Sequence, residues 1–166
     1  MFMKILSVED IHLQKINNVF NNFIDNNYRL EPFKNLEWNT LYINSAPCID
    51  SDSFEDFINF FKLIEEENIN IFSYPVKKKD KFLQINIEDN FITYQKGLND
   101  VYMTFDDCIL IGERNDWGIC TNIDREVLFL GYTVLFNNFV STIFQYNDFV
   151  LNKKEVETIY NDNVWH

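Results

Sequence analysis

The chain reads as a single α+β domain spanning residues 1–166, with a mostly antiparallel central sheet, a β-meander and helices packed on it. Three observations predict this class. Two apolar stripes of helical period fall before residue 65, around residues 11–24 and 54–64. From residue 69 onward the pattern changes to short apolar or alternating runs separated by turn residues. No linker and no internal repeat divides the two regions, and partly segregated helices and strands favour one layered α+β core.

Ser7 and Asp10 have the spacing of a helix-start capping box, with Asp where Glu is usual. Ile11, Ile16, Val19, Phe20, Phe23 and Ile24 then follow near one helical face. Asparagines fill much of the other face and are mediocre helix formers, so packing must hold this helix. It should fade near Asp25–Asn27. Leu36 to Ile43 alternate as a strand, and Pro47 with a Ser/Asp-rich stretch breaks the chain. Ser53 with Asp56 offers a second helix start. Phe54, Phe57, Ile58, Phe61 and Ile64 recur at i, i+3, i+4, i+7. Glu65, Glu66 and Glu67 close that helix, where acids oppose the macrodipole. They read either as partner-facing groups or, more simply, as a solvated helix end.

Ile69–Tyr74, Phe82–Ile87 and Phe91–Tyr94 predict three short strands. Lys77, Lys78, Lys79 and Lys81 fall between two of them, as a hairpin tip or as edge-protecting lysines. Cys108 to Ile111 predicts a buried strand ending at Gly112-Glu113. Arg114-Asn115-Asp116 predicts a turn, Trp117 to Ile123 the returning strand, and Val127 to Leu130 the third strand of a meander. Gly131 releases the chain into a final helix of mixed polarity, and Lys153 to Tyr160 predicts a further turn or two of helix.

Composition bounds the function. The formal net charge is −12, with 26 acidic and 14 basic side chains. Such a chain repels phosphate backbones and anionic membranes, so neither nucleic acid nor membrane is an expected partner. A basic protein would be drawn to it. Aromatics at 17% exclude disorder. Three separated cysteines indicate neither a disulfide framework nor a zinc site. The first residues are too short for a signal peptide and no run approaches a membrane span, so a cytoplasmic, soluble protein is expected.

Catalytic motifs are absent. There is no HExxH, P-loop or GxGxxG, and the two histidines, His12 and His166, lie beside no plausible nucleophile. No cofactor is expected. Carboxylates are the remaining chemistry: Asp106, Asp107, Glu113 and Asp116 cluster around the first meander strand, and paired acids can serve as acid and base or hold Mg²⁺. Chance clusters are common in so acidic a chain, and acids at turns are usually solvated turn formers. Trp117 follows the acidic turn. It reads as a core residue beneath the hairpin, or as the rim of an interaction surface.

The run Cys108-Ile-Leu-Ile-Gly-Glu113, then Asp116-Trp117-Gly118-Ile119, then Val127-Leu-Phe-Leu-Gly131 and a helix, resembles small bacterial immunity proteins. These neutralise polymorphic or contact-dependent growth-inhibition toxins. The similarity covers about residues 106–145. It implies a non-enzymatic protein that binds one cognate toxin domain, often a basic nuclease. Local acid density nominates Asp106, Asp107, Glu113, Asp116 and Trp117 for that contact, with Glu65, Glu66 and Glu67 as a second candidate. Two other readings stand beside it: a nucleic-acid-mimicking nuclease inhibitor, and a small carboxylate-dependent enzyme. Half of the net charge, −6, falls in residues 101–166, a skew that fits a local patch better than a uniform mimic coat.

Overall fold

A computed structural model describes residues 3–21, 32–104 and 106–162. The elements run β1 (Lys4–Ser7), α1 (Asp10–Val19), β2 (Asn39–Asn44), α2 (Phe54–Leu63), β3 (Asn68–Ser73), β4 (Lys81–Asn86), α3 (Phe91–Asp100), β5 (Cys108–Ile111), β6 (Trp117–Asn122), β7 (Val127–Tyr132), α4 (Asn137–Phe144), β8 (Val150–Leu151) and α5 (Lys153–Asp162), with a 3-10 turn at Val134–Phe136 before α4. All eight strands form one sheet in the order β1-β4-β3-β5-β6-β7-β2-β8, and every pairing is antiparallel. The predicted meander is its centre.

Both faces of that centre are covered, which is why β5, β6 and β7 are buried at every residue. On one face, α2 brings Phe61 against Trp117, and Phe57 and Phe60 meet Phe144 and Phe136. Tyr94 of α3 packs on the same side against Phe54. On the other face, His12 of α1 lies over Phe72 and Phe82, and Tyr160 of α5 lies against Phe129. Alternation along a strand sends neighbouring residues to opposite faces, so a strand between two helical layers must be apolar throughout.

Gly118 and Gly131 face each other across β6 and β7. A Cβ on Gly118 would lie 2.6 Å from Val19, and one on Gly131 2.5 Å from the Phe33 ring. The glycines let α1's end and the chain at Phe33 press directly on the sheet backbone. Phe20 and Phe33, themselves bridged, meet there with their rings tilted at 39°.

Several expectations need correction. The first helix starts two residues later than a Ser7–Asp10 box requires. Ser7 ends β1 and its hydroxyl accepts from Lys81, whereas His12 Nδ1 accepts the Glu9 amide at 2.9 Å to close the helix start. That helix ends at Val19, Ile11 is exposed, and Phe23, Ile24 and Asp25–Asn27 lie outside the described residues. Phe91–Tyr94 is no strand. The Asn90 side chain accepts from the Thr93 amide and starts α3, whose buried face is Tyr94, Gly97 and Leu98. Gly97, a poor helix former, hides that helix from a propensity reading, yet a Cβ there would meet Met3 and Leu83. Ser53 does precede α2, but its hydroxyl accepts from Asn147 and caps nothing. The edge strands β1 and β8 were not legible as strands.

Gly131→Ala is expected to cost about 1–3 kcal/mol by overpacking against Phe33. Urea denaturation measures it, and adding Phe33→Leu should return part of the loss. An unchanged midpoint for the single variant would show that Phe33 yields freely.

Candidate functional site

The acidic turn between β5 and β6 is organised by a residue expected to be solvated. Glu66 is 1% exposed. Its carboxylate accepts three N–H groups: the Glu113 amide at 2.9 Å, the Arg114 amide at 2.8 Å and the Trp117 indole at 2.8 Å. A carboxyl group taken out of water is tolerated only when its oxygens find such partners. This corrects the reading of Glu65–Glu67 as a uniformly solvated helix end.

The local sequence explains how Glu66 reaches inward. α2 ends in a reversal with Glu65 in the left-handed region (φ 63°), the Glu66 amide donating to Phe61 O at 2.9 Å and the Glu65 amide to Lys62 O at 3.2 Å. The reversal turns Glu66 onto the sheet and leaves Glu65 and Glu67 exposed on either side. Gly112 completes the fit, since a Cβ there would lie 2.4 Å from the Glu66 carboxyl carbon.

The carbonyls of the same turn are held from the opposite side. Lys15 of α1 donates to Gly112 O at 2.8 Å and Glu113 O at 3.1 Å. Amides bound by Glu66 and carbonyls bound by Lys15 fix the turn between the two helical layers. Arg114 pairs with Asp116 through contacts of 2.7–3.2 Å and lies over the Phe136 ring at 5.3 Å. Asp116 pushes Arg114's guanidinium further above its ordinary value, with Glu66 and Glu65 adding to the effect. Asp116 O accepts from the Thr133 amide at 2.9 Å, which ties the turn to the exposed Val134 and Leu135.

The structure therefore regroups the nominated residues. Glu113, 77% exposed at its side chain, Asp116, Glu65 and Glu67 share one rim of the sheet. Glu66 and Trp117 are buried beneath that rim; the Trp117 ring has no exposure. Asp106 and Asp107 belong to the other end of β5, about 20 Å from Glu113 at ~3.3 Å per strand residue. There Asp106 accepts from the Ser73 hydroxyl and Asp107 from the Ile123 amide at 2.7 Å. Burial, helped by Asp124, raises the Asp107 carboxyl above its ordinary value of 3.8 although the Ile123 amide opposes it. Lys15 was missed, because nothing in the sequence pairs a helix lysine with carbonyls almost a hundred residues away.

Elsewhere, an open cleft of about 670 Å³ is lined by Phe33, Leu36, Trp38, Tyr42 and Lys153 among others, and by none of the nominated acids. Among the described residues no group of three or more His, Cys, Asp or Glu side chains is arranged to hold a metal ion, and no helix is long and apolar enough to cross a membrane. A scan of family models and searches of curated proteins and solved structures returned no significant match.

Glu66→Ala should destabilise the fold by about 3 kcal/mol or more, since three buried donors lose their acceptor. Lys15→Met, at a partly exposed side chain, should cost roughly 1 kcal/mol. Equilibrium urea unfolding checks both, and equal costs would contradict the assignment.

A raised carboxyl favours the fold when protonated, and that contribution is lost as pH rises through the folded-state value. Asp107→Asn keeps an acceptor for Ile123 and removes the charge. It should therefore raise the thermal midpoint relative to the wild type more at about pH 7 than at about pH 4. A gain that is equal at both pH values would contradict the burial of Asp107.

Proposed function

We propose that this chain is an immunity protein that binds and neutralises a cognate basic toxin domain through the rim formed by Glu65, Glu67, Glu113 and Asp116. The observation that carries the reading is the clamped turn: Glu66 and Lys15 hold a backbone that presents Glu113 outward from a fixed position. Preorganised charges attract a basic partner without paying to order a loop on binding.

Exposed apolar residues beside the acids strengthen the reading. Leu135 is 80% exposed and Val134 53%, next to the Asp116–Thr133 contact. Apolar contact area bordered by charge is the usual composition of a protein interface. The net charge of −12 adds long-range steering toward a basic surface. The resemblance of residues 106–145 to immunity proteins supports the same class, and the turn lies inside that stretch. On this reading the acids do no chemistry, the protein needs no cofactor, and it acts in the cytoplasm of the cell it protects.

The test is titration calorimetry against the purified basic toxin domain encoded beside this chain. A one-to-one complex is expected, with affinity falling as salt rises. Glu113→Lys combined with Glu65→Lys should weaken it by about tenfold or more, while Asp107→Asn at the far end leaves it unchanged. Absence of binding at low salt, or equal sensitivity to the far-end variant, would overturn the proposal.

A further inference from the structure

A cation sits inside the acidic rim and is fixed there before any partner arrives. The Arg114 amide donates to the Glu66 carboxylate at 2.8 Å, which holds its backbone. Its Nε donates to both Asp116 oxygens at 3.0 and 3.2 Å, and its Nη2 to Asp116 Oδ2 at 2.7 Å. The guanidinium lies 5.3 Å above the ring of Phe136. Both supports are themselves anchored. Phe136 is 5% exposed, meets Phe60 edge-on and stacks on Phe139. The Asp116 carbonyl accepts from the Thr133 amide. Much of the entropy cost of ordering a long side chain at an interface is thereby removed in advance.

Asp116 does not use up the fork. It occupies the Nε–Nη2 edge of the guanidinium. Both Nη1 protons and the second Nη2 proton find no acceptor among the described residues. The side chain is 39% exposed, so water serves these protons in the free protein. The open Nη1–Nη2 edge has the other geometry in which a guanidinium takes a carboxylate through two parallel bonds.

Arg114 lies over Phe136, and its partner Asp116 is tied to Thr133, so both adjoin the exposed Val134 and Leu135. A partner that covers those apolar residues also covers Arg114 and strips its water. A charged donor left unpaired in a closed interface is strongly unfavourable, and a second cation set against it adds repulsion. A partner surface that is basic throughout would do both.

We propose that the partner meets Arg114 with a carboxylate, an Asp or Glu side chain set among the lysines and arginines that face Glu65, Glu67 and Glu113. This rests on the reading of the rim as the toxin-binding surface, and it names the charge pattern that the rim recognises. Net charge steers any basic domain toward the rim. Only a domain with an acid in register leaves no donor of Arg114 unpaired, so Arg114 separates the cognate toxin from other basic proteins. Fixed arginines with an aromatic backing are also the kind of residue on which interface energy concentrates.

The test is titration calorimetry of the basic toxin domain encoded beside this chain against the wild type and Arg114→Gln. General attraction alone predicts that removing a positive charge from the rim tightens binding. The proposal predicts the opposite sign, a weakening of about tenfold or more. A double-mutant cycle pairing Arg114→Gln with alanine substitutions of the toxin's Asp and Glu residues should find one acid whose effect is largely lost in the variant. Should Arg114→Gln not fold, the toxin variants decide against the wild-type chain, where one acid must matter by about tenfold. Tighter or unchanged binding by Arg114→Gln, or no toxin acid that matters, would overturn the proposal and leave the rim as the binding surface. Absence of binding by the wild type would overturn both.

Discussion

One buried carboxylate holds together parts of this protein that are distant in sequence. Glu66 accepts from two amides of the β5–β6 turn and from the Trp117 indole. Each bond imposes a condition elsewhere. The end of α2 must reverse at Glu65 to aim the side chain inward. Position 112 must lack a Cβ to admit the carboxyl group. Trp117 must bury its ring against Phe61 with the indole nitrogen toward Glu66. A buried acid is a costly way to hold a turn, because losing any partner leaves an unsatisfied group in a region water does not reach. The same cost makes the geometry specific, since few alternative arrangements supply three donors at once.

The two-sided cover of the sheet makes this constraint effective. Had the meander been covered on one face only, the turn would have been tied on one side. Here α1 supplies Lys15 from one layer and the segment after α2 supplies Glu66 from the other, so both the amides and the carbonyls of the turn are satisfied. The close approach of α1's end depends in turn on Gly118, which gives Val19 and Phe20 room against the backbone. A glycine in a central strand usually weakens it, and here close packing offsets that loss.

The elements legible in the sequence were those whose own pattern is strong. The aromatic stripe of α2 and the three strands of the meander fall close to where periodicity put them. Elements defined by their partners were not legible. β1 is a four-residue edge strand exposed at every position, and its register comes from β4. α3 carries Phe-Ile-Thr-Tyr at its start, which is locally strand-like, and its helical state depends on the Asn90 cap and on packing over Leu83. The site was half legible. Acid density pointed to Glu113 and Asp116, but it also drew in Asp106 and Asp107, which flank β5 at its opposite end. It treated the Glu65–Glu67 run as separate, since nothing local tells that the middle acid of three turns inward and joins the two clusters.

The functional reading stands on the rigidity of that rim, and the rigidity rests on Glu66. The Trp117 indole N–H reports it most directly, because its acceptor is the Glu66 carboxylate. Hydrogen exchange of the indole protons followed by NMR in the native protein separates Trp117 from the half-buried Trp38. The account predicts that the Trp117 indole proton exchanges only through global unfolding, with the opening free energy that urea denaturation gives. Exchange of that proton as fast as that of Trp38 would contradict the clamp, and with it the fixed presentation of Glu113.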